Sequence, residues 1–169
     1  MRDLAQVAQA RAHGGAPEVE LTRFCTHCGT LFDAPKSAPE RPLKGRVCSR
    51  CALGVVLTCS AELLDRGGAA FLVVTSDLRI SAASEAADEL LGSGDGLYGR
   101  PLLSVITSPA GVAELARRVV RAAAGDRGVA MVPVEPSAAR LPGVVLEARI
   151  GGCGDPPAAL VVVESVGSG

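Results

Sequence analysis

The sequence predicts an α+β protein in two parts, a small cysteine-held head followed by one α/β domain. Two observations carry this reading. Four of the six cysteines fall in two equal spacings, Cys25-Thr26-His27-Cys28 and Cys48-Ser49-Arg50-Cys51, a C-x2-C-x19-C-x2-C pattern. After residue 68, short β-type runs alternate with short helical patterns, and hydrophobic residues make up 48% of the chain, enough for a sizeable core.

The cysteine pairs define the head, residues 21–53. Two thiol pairs on turns can surround one tetrahedral soft-metal ion, and the chemistry fits a closed Zn²⁺ site with Cys25, Cys28, Cys48 and Cys51 as ligands. The stretch between them, Asp33 to Pro42, holds three prolines and little that is apolar, so it closes only against an anchor. Phe24 and Phe32 flank the first pair and are expected to form a small apolar patch beside the metal. His27 sits inside a knuckle whose cysteines already satisfy the spacing, so an exposed side chain is expected. Chelation is expected to unfold residues 21–53 alone.

Arg23, Lys36, Arg41, Lys44, Arg46 and Arg50 outnumber Asp33 and Glu40 in this head. A tetrathiolate zinc site carries two net negative charges, so part of the excess is charge compensation. Arg23, Lys44, Arg46 and Arg50 are also the candidate contacts to nucleic acid or a partner protein.

Residues 1–20 read as a leader, with Asp3 placed to cap a short helix through Ala12. Residues 54–68 read as a linker with a short helix over Ala61–Asp65. Residues 69–166 read as the α/β domain. Ala70–Val74 is a compact strand, and Leu78–Ser81 alternates as its hairpin partner. Ser84–Gly92 is a short helix with a serine cap and early acids. Gly99–Leu103 opens a further helical turn. Gly111–Ala124 is the clearest helix, with Val112, Leu115, Val119 and Ala122 on one stripe and Glu114, Arg117, Arg118 and Arg121 set for local ion pairs. Val129–Val134, Val145–Ile150 and Ala159–Glu164 are strands, and Pro133 puts its part of the first at an edge or bulge.

This order, with Ala70-Phe71-Leu72-Val73-Val74-Thr75-Ser76-Asp77-Leu78-Arg79-Ile80, then Ala86-Ala87-Asp88-Glu89-Leu90-Leu91-Gly92 and Gly99-Arg100-Pro101-Leu102, resembles the PAS sensor fold. The resemblance implies a five-stranded antiparallel sheet with helices on one face and a role in sensing or dimerisation. The asparagine often found before the "AA" helix is replaced by Ala83-Ser84-Glu85. The cysteine signature of the flavin-binding branch is absent, and no histidine follows His27. Residues 21–53 resemble a zinc ribbon, and Arg46 to Val55 is similar to small bacterial proteins that place such a ribbon before a PAS-like domain.

Composition limits the function classes. A net charge of −1 excludes a globally basic nucleic-acid binder. Aromatics are 2% of residues, which disfavours sites that stack planar cofactors or unpaired bases. No serine or cysteine has a placeable histidine base, and Gly92-Ser93-Gly94-Asp95-Gly96 follows a helix rather than a strand, so no catalytic or dinucleotide constellation forms. Cys59 and Cys153 are expected as buried small hydrophobes. The polar N-terminus, Arg2 to Val7, lacks the apolar stretch of a signal peptide. The expectation is a cytoplasmic, non-enzymatic regulatory protein that binds zinc and acts through a protein partner or a small ligand, with homodimerisation as one route. The chain ends without an output domain, so its signal is expected to leave by contact. The alternative is a transcription-associated factor whose ribbon touches nucleic acid or polymerase. No membrane association is expected.

Overall fold

The structure, a computed structural model, describes residues 19–34, 46–92, 94–137 and 143–165. The leader helix proposed over Asp3–Ala12 and the contact residue Lys44 lie outside them.

The described residues form an α+β architecture dominated by antiparallel pairing. The strands are β1 (Leu21–Cys25), β2 (Leu31–Asp33), β3 (Val56–Ser60), β4 (Ala70–Val74), β5 (Ile80–Ala83), β6 (Ile106–Thr107), β7 (Ala130–Pro136), β8 (Leu146–Cys153) and β9 (Ala158–Ser165). The helices are α1 (Glu85–Leu91) and α2 (Val112–Ala123), with a 3₁₀ turn at Leu102–Ser104. Five strands lie in the order β5-β4-β9-β8-β7, every neighbouring pair antiparallel. The head's strands β1 and β2 extend the same sheet by way of β3, in the order β2-β1-β3-β8.

Strand alternation gives the sheet two faces, and each is covered differently. Leu72, Val74, Ala148, Ile150, Val161 and Val163 face α1 and α2 and form the main core with Leu91, Leu115 and Val119. On the other face Phe71, Val73, Leu160 and Val162 pack with Phe24, Leu63 and Leu64. Phe24 meets Phe71 edge to face at 5.2 Å between centroids. Among the described residues the head therefore has no core of its own. It shares one with the sheet, because four large sheet residues need cover and the head is too poor in apolar side chains to bury Phe24 alone.

The short helix expected over Ala61–Asp65 is a turn. Leu63 and Leu64 look like helix formers, yet both are fully buried on the second sheet face. Their packing decides the backbone there. Residues 56–60, read as part of a linker, form β3, which pairs with β1 over five residues.

Local signals in the remaining elements agree better. Ser84 caps α1 by accepting from the Ala87 amide at 3.2 Å, and its hydroxyl also accepts from the Phe71 amide and donates to the Ala69 carbonyl. One buried hydroxyl thus ties helix to strand. Gly92 ends α1 with φ −71°, so its role is space rather than handedness: a Cβ there would lie 2.2 Å from the Asp88 carbonyl oxygen. In α2 the buried stripe is Leu115, Val119, Ala122 and Ala123, whereas Val112 is 44% exposed. Glu114 pairs with Arg117 and Arg118 as its spacing predicts.

Candidate metal centre

Two hairpin tips build the centre. Cys25 ends β1 and Cys28 follows one turn later; Cys48 and Cys51 lie on the turn before β3. Each turn repeats the same hydrogen bonds. The His27 amide donates to Cys25 Sγ and the Arg50 amide to Cys48 Sγ, both at 3.4 Å. The Gly29 amide donates to the Cys25 carbonyl and the Ala52 amide to the Cys48 carbonyl. The turns are clasped by the Thr26 amide on the Val55 carbonyl at 2.9 Å and the Val55 amide on Thr26 Oγ1 at 3.0 Å.

All four Sγ atoms lie within 4.8 Å of one another. Cys25 and Cys51 sulfurs are 3.6 Å apart, and those of Cys28 and Cys48 are 4.0 Å apart. A tetrahedron with zinc–sulfur bonds of about 2.3 Å has edges of about 3.8 Å. The four cysteines are thus arranged compatibly with one zinc ion, and the all-thiolate set leaves no open position for water or substrate. His27 stands apart from the sulfurs, its Nε2 at 3.8 Å from Glu85 Oε1 at the start of α1.

The electrostatics around the sulfurs are uneven. Burial pushes the Cys25 thiol up to about 12, whereas the Leu53 and Gly54 amides hold Cys51 down at about 6. The Thr30 hydroxyl, 3.2 Å from Cys28 Sγ, lowers that thiol as well. Zinc requires thiolates, so binding releases protons and affinity rises with pH. Cys59, outside the cluster, has the opposite sign. Raised to about 12 by burial from an ordinary 9.0, it stays protonated in the fold while the unfolded chain ionises. Its contribution is intact below about 9 and is lost as pH climbs toward about 12. Denaturant midpoints of the chelated protein across that window are expected to fall steadily.

Sequence reasoning located the four sulfurs and missed what shapes their cradle. Gly29 and Ala52 follow the second cysteine of each turn, with φ of 66° and 57°. Both occupy the left-handed region, where alanine is strained by about 1–2 kcal/mol. Replacing Ala52 by glycine is expected to stabilise the zinc-bound protein by about 1 kcal/mol, read from its denaturant midpoint. Thr26, Thr30 and Gly54 are the other unrecognised supports.

The basic residues of the head divide. Arg50 is exposed. Arg23 is half-buried and donates from Nε and Nη2 to the Asp33 carbonyl at 2.9 and 2.6 Å. Arg46 is buried and donates from Nη1 to the Asp155 carbonyl at 3.0 Å.

A groove of about 960 Å³ runs beside the centre, between the head and the β8–β9 turn. Val19, Leu21, Val47 and Phe32 line it with Arg23, Arg46 and Arg127. Among the described residues no helix is long and apolar enough to cross a membrane.

The class defined by fold and site is an α+β protein with a four-cysteine cluster compatible with zinc. Comparison with protein-family models, curated proteins and solved structures gives no match.

Proposed function

We propose that the protein is a zinc-dependent regulatory adaptor of the cytoplasm, in which a zinc ribbon and a PAS-like domain together present one surface to a protein partner. The observation that carries this reading is the shared core. The head is packed onto the sheet through Phe24, beside Leu63 and Leu64 of the segment that follows it, so the metal acts at a distance on a composite surface rather than on a tethered finger. The closed four-sulfur cluster supports a structural ion. The five antiparallel strands with both helices on one face support the PAS-like reading.

The groove supports a protein as the ligand. Val19, Leu21 and Val47 are 45%, 41% and 55% exposed along it, and the exposed Arg127 lines it too. That chemistry suits an amphipathic segment whose acidic flank meets the exposed Arg127. The nucleic-acid alternative has less support, because Arg23 and Arg46 spend guanidinium hydrogens on main-chain carbonyls.

The test is affinity capture from the protein's own host with zinc-loaded wild type and Leu21→Glu, both assayed for metal. A protein that co-purifies stoichiometrically with wild type and is lost from the zinc-loaded variant supports the adaptor. Recovery of nucleic acid in a salt-dependent manner, or of a bound small molecule by native mass spectrometry, would replace it with the transcription-factor or sensor reading.

A further inference from the structure

Two cysteines outside the metal centre share one place in the fold. Cys59 of β3 and Cys153 at the end of β8 are direct register partners, and theirs is the Cα pairing by which β3 joins β8. The Gly154 amide donates to the Thr58 carbonyl at 2.9 Å, one residue outside the pair on each strand. That pattern makes Cys59 and Cys153 a non-hydrogen-bonded pair, where opposed Cα atoms sit about 4.5 Å apart. Disulfides span Cα separations of about 4.4–6.8 Å. Side chains of directly opposed residues leave the sheet on the same face. Both belong to the core cluster beneath the head, and both border the groove. Neither is in a disulfide, and neither belongs to the four-sulfur cluster.

We propose that Cys59 and Cys153 are a thiol–disulfide couple that a low-molecular-weight disulfide, reaching them through the groove, oxidises to an intramolecular bond locking the head onto the sheet. One thiol gives up its proton, and its thiolate attacks the small disulfide. The small S–S bond breaks, a mixed disulfide forms, and one small thiolate leaves and takes up a proton. The second cysteine then deprotonates and attacks the protein sulfur of the mixed disulfide, expelling a second small thiol. Two protein thiols lose two electrons in total, and the small disulfide gains them as two thiols.

Burial slows the first step in the closed state, since the Cys59 thiol is pushed up to about 12. Oxidation therefore follows local opening of the β3–β8 junction, and the bond then suppresses that opening. The position matters because this pairing is where head and main sheet meet. A covalent link there stiffens the surface that flanks the groove without touching the metal ligands.

The test uses the zinc-loaded full chain in glutathione buffers of graded oxidised-to-reduced ratio, followed by alkylation and peptide mass spectrometry. The expected product is a Cys59–Cys153 linked peptide with zinc retained at one per chain. Amide exchange at Cys59 and Gly154 is expected to slow about tenfold or more on oxidation. Cys59→Ala and Cys153→Ala each remove the link. Should either fail to fold, the wild-type peptide map decides alone. Full alkylation of both thiols at the most oxidising ratio would overturn the proposal, as would glutathione adducts without the link, or links to Cys25, Cys28, Cys48 or Cys51 accompanied by zinc loss.

Discussion

Chelating the zinc is expected to lower the thermal midpoint by about 10 °C or more and to unprotect amides well beyond the head. The metal term is large: structural zinc contributes about 10–16 kcal/mol to comparable folded peptides near neutral pH. A domain's whole stability is about 5–15 kcal/mol, so even partial loss of that term is severe. At this chain length each kcal/mol moves the midpoint by about 2–4 °C. Confinement of the damage to residues 21–53, the expectation from the sequence, conflicts with the shared core. Once the head loosens, Phe24 no longer covers Phe71, and Leu63 and Leu64 lose a neighbour in the same cluster. Hydrogen exchange should therefore rise in β3, in β4 near Phe71 and in β9 near Leu160 and Val162, while α2 and the opposite face hold. A metal-free protein with unchanged exchange in β3 and β4 would contradict the role given to the ion.

Gly54→Ala is expected to weaken zinc binding by about 10–100-fold, at a position that is not a ligand. A Cβ there would sit 2.4 Å from Cys25 Sγ and 2.9 Å from the His27 nitrogen. Neither neighbour can yield cheaply. The sulfur is one of four that must meet at one point, and the nitrogen belongs to the hydrogen-bonded turn that orients it. The Gly54 carbonyl also accepts from the Cys48 amide at 2.8 Å, so a shift of this residue reaches the second turn too. Gly67→Ala is the matched control, since the nearest atom to its added Cβ is 3.6 Å away. Competition with a chromophoric chelator measures both; equal affinities in the two variants would show that the cradle tolerates the methyl group.

What could be read before the structure, and what could not, divides along the range of the interactions. The four-cysteine cluster announces itself because each pair is local and the residue type is specific. The Ser84 cap and the Glu114 ion pairs are equally local, at offsets of three and four residues. β3 was hidden because Val56–Ser60 carries a mixed side-chain pattern and owes its strand state to β1 on one side and Cys153 on the other. Leu63 and Leu64 misled for the same reason, since their neighbours come from strands far along the chain. Arg46 looked like a surface charge, and only the fold brings the Asp155 carbonyl to it. The strained Ala52 left no sequence trace, because nothing in its side chain asks for a left-handed backbone.

The way the head seats on the sheet bears on how this chain can be cut. Removing everything before Ala69 would leave Phe71, Val73, Leu160 and Val162 as a bare oily strip on a broad strand surface. Such a fragment would stick to itself rather than behave as an independent unit, which makes the cysteine-bearing cap a permanent stopper against self-association.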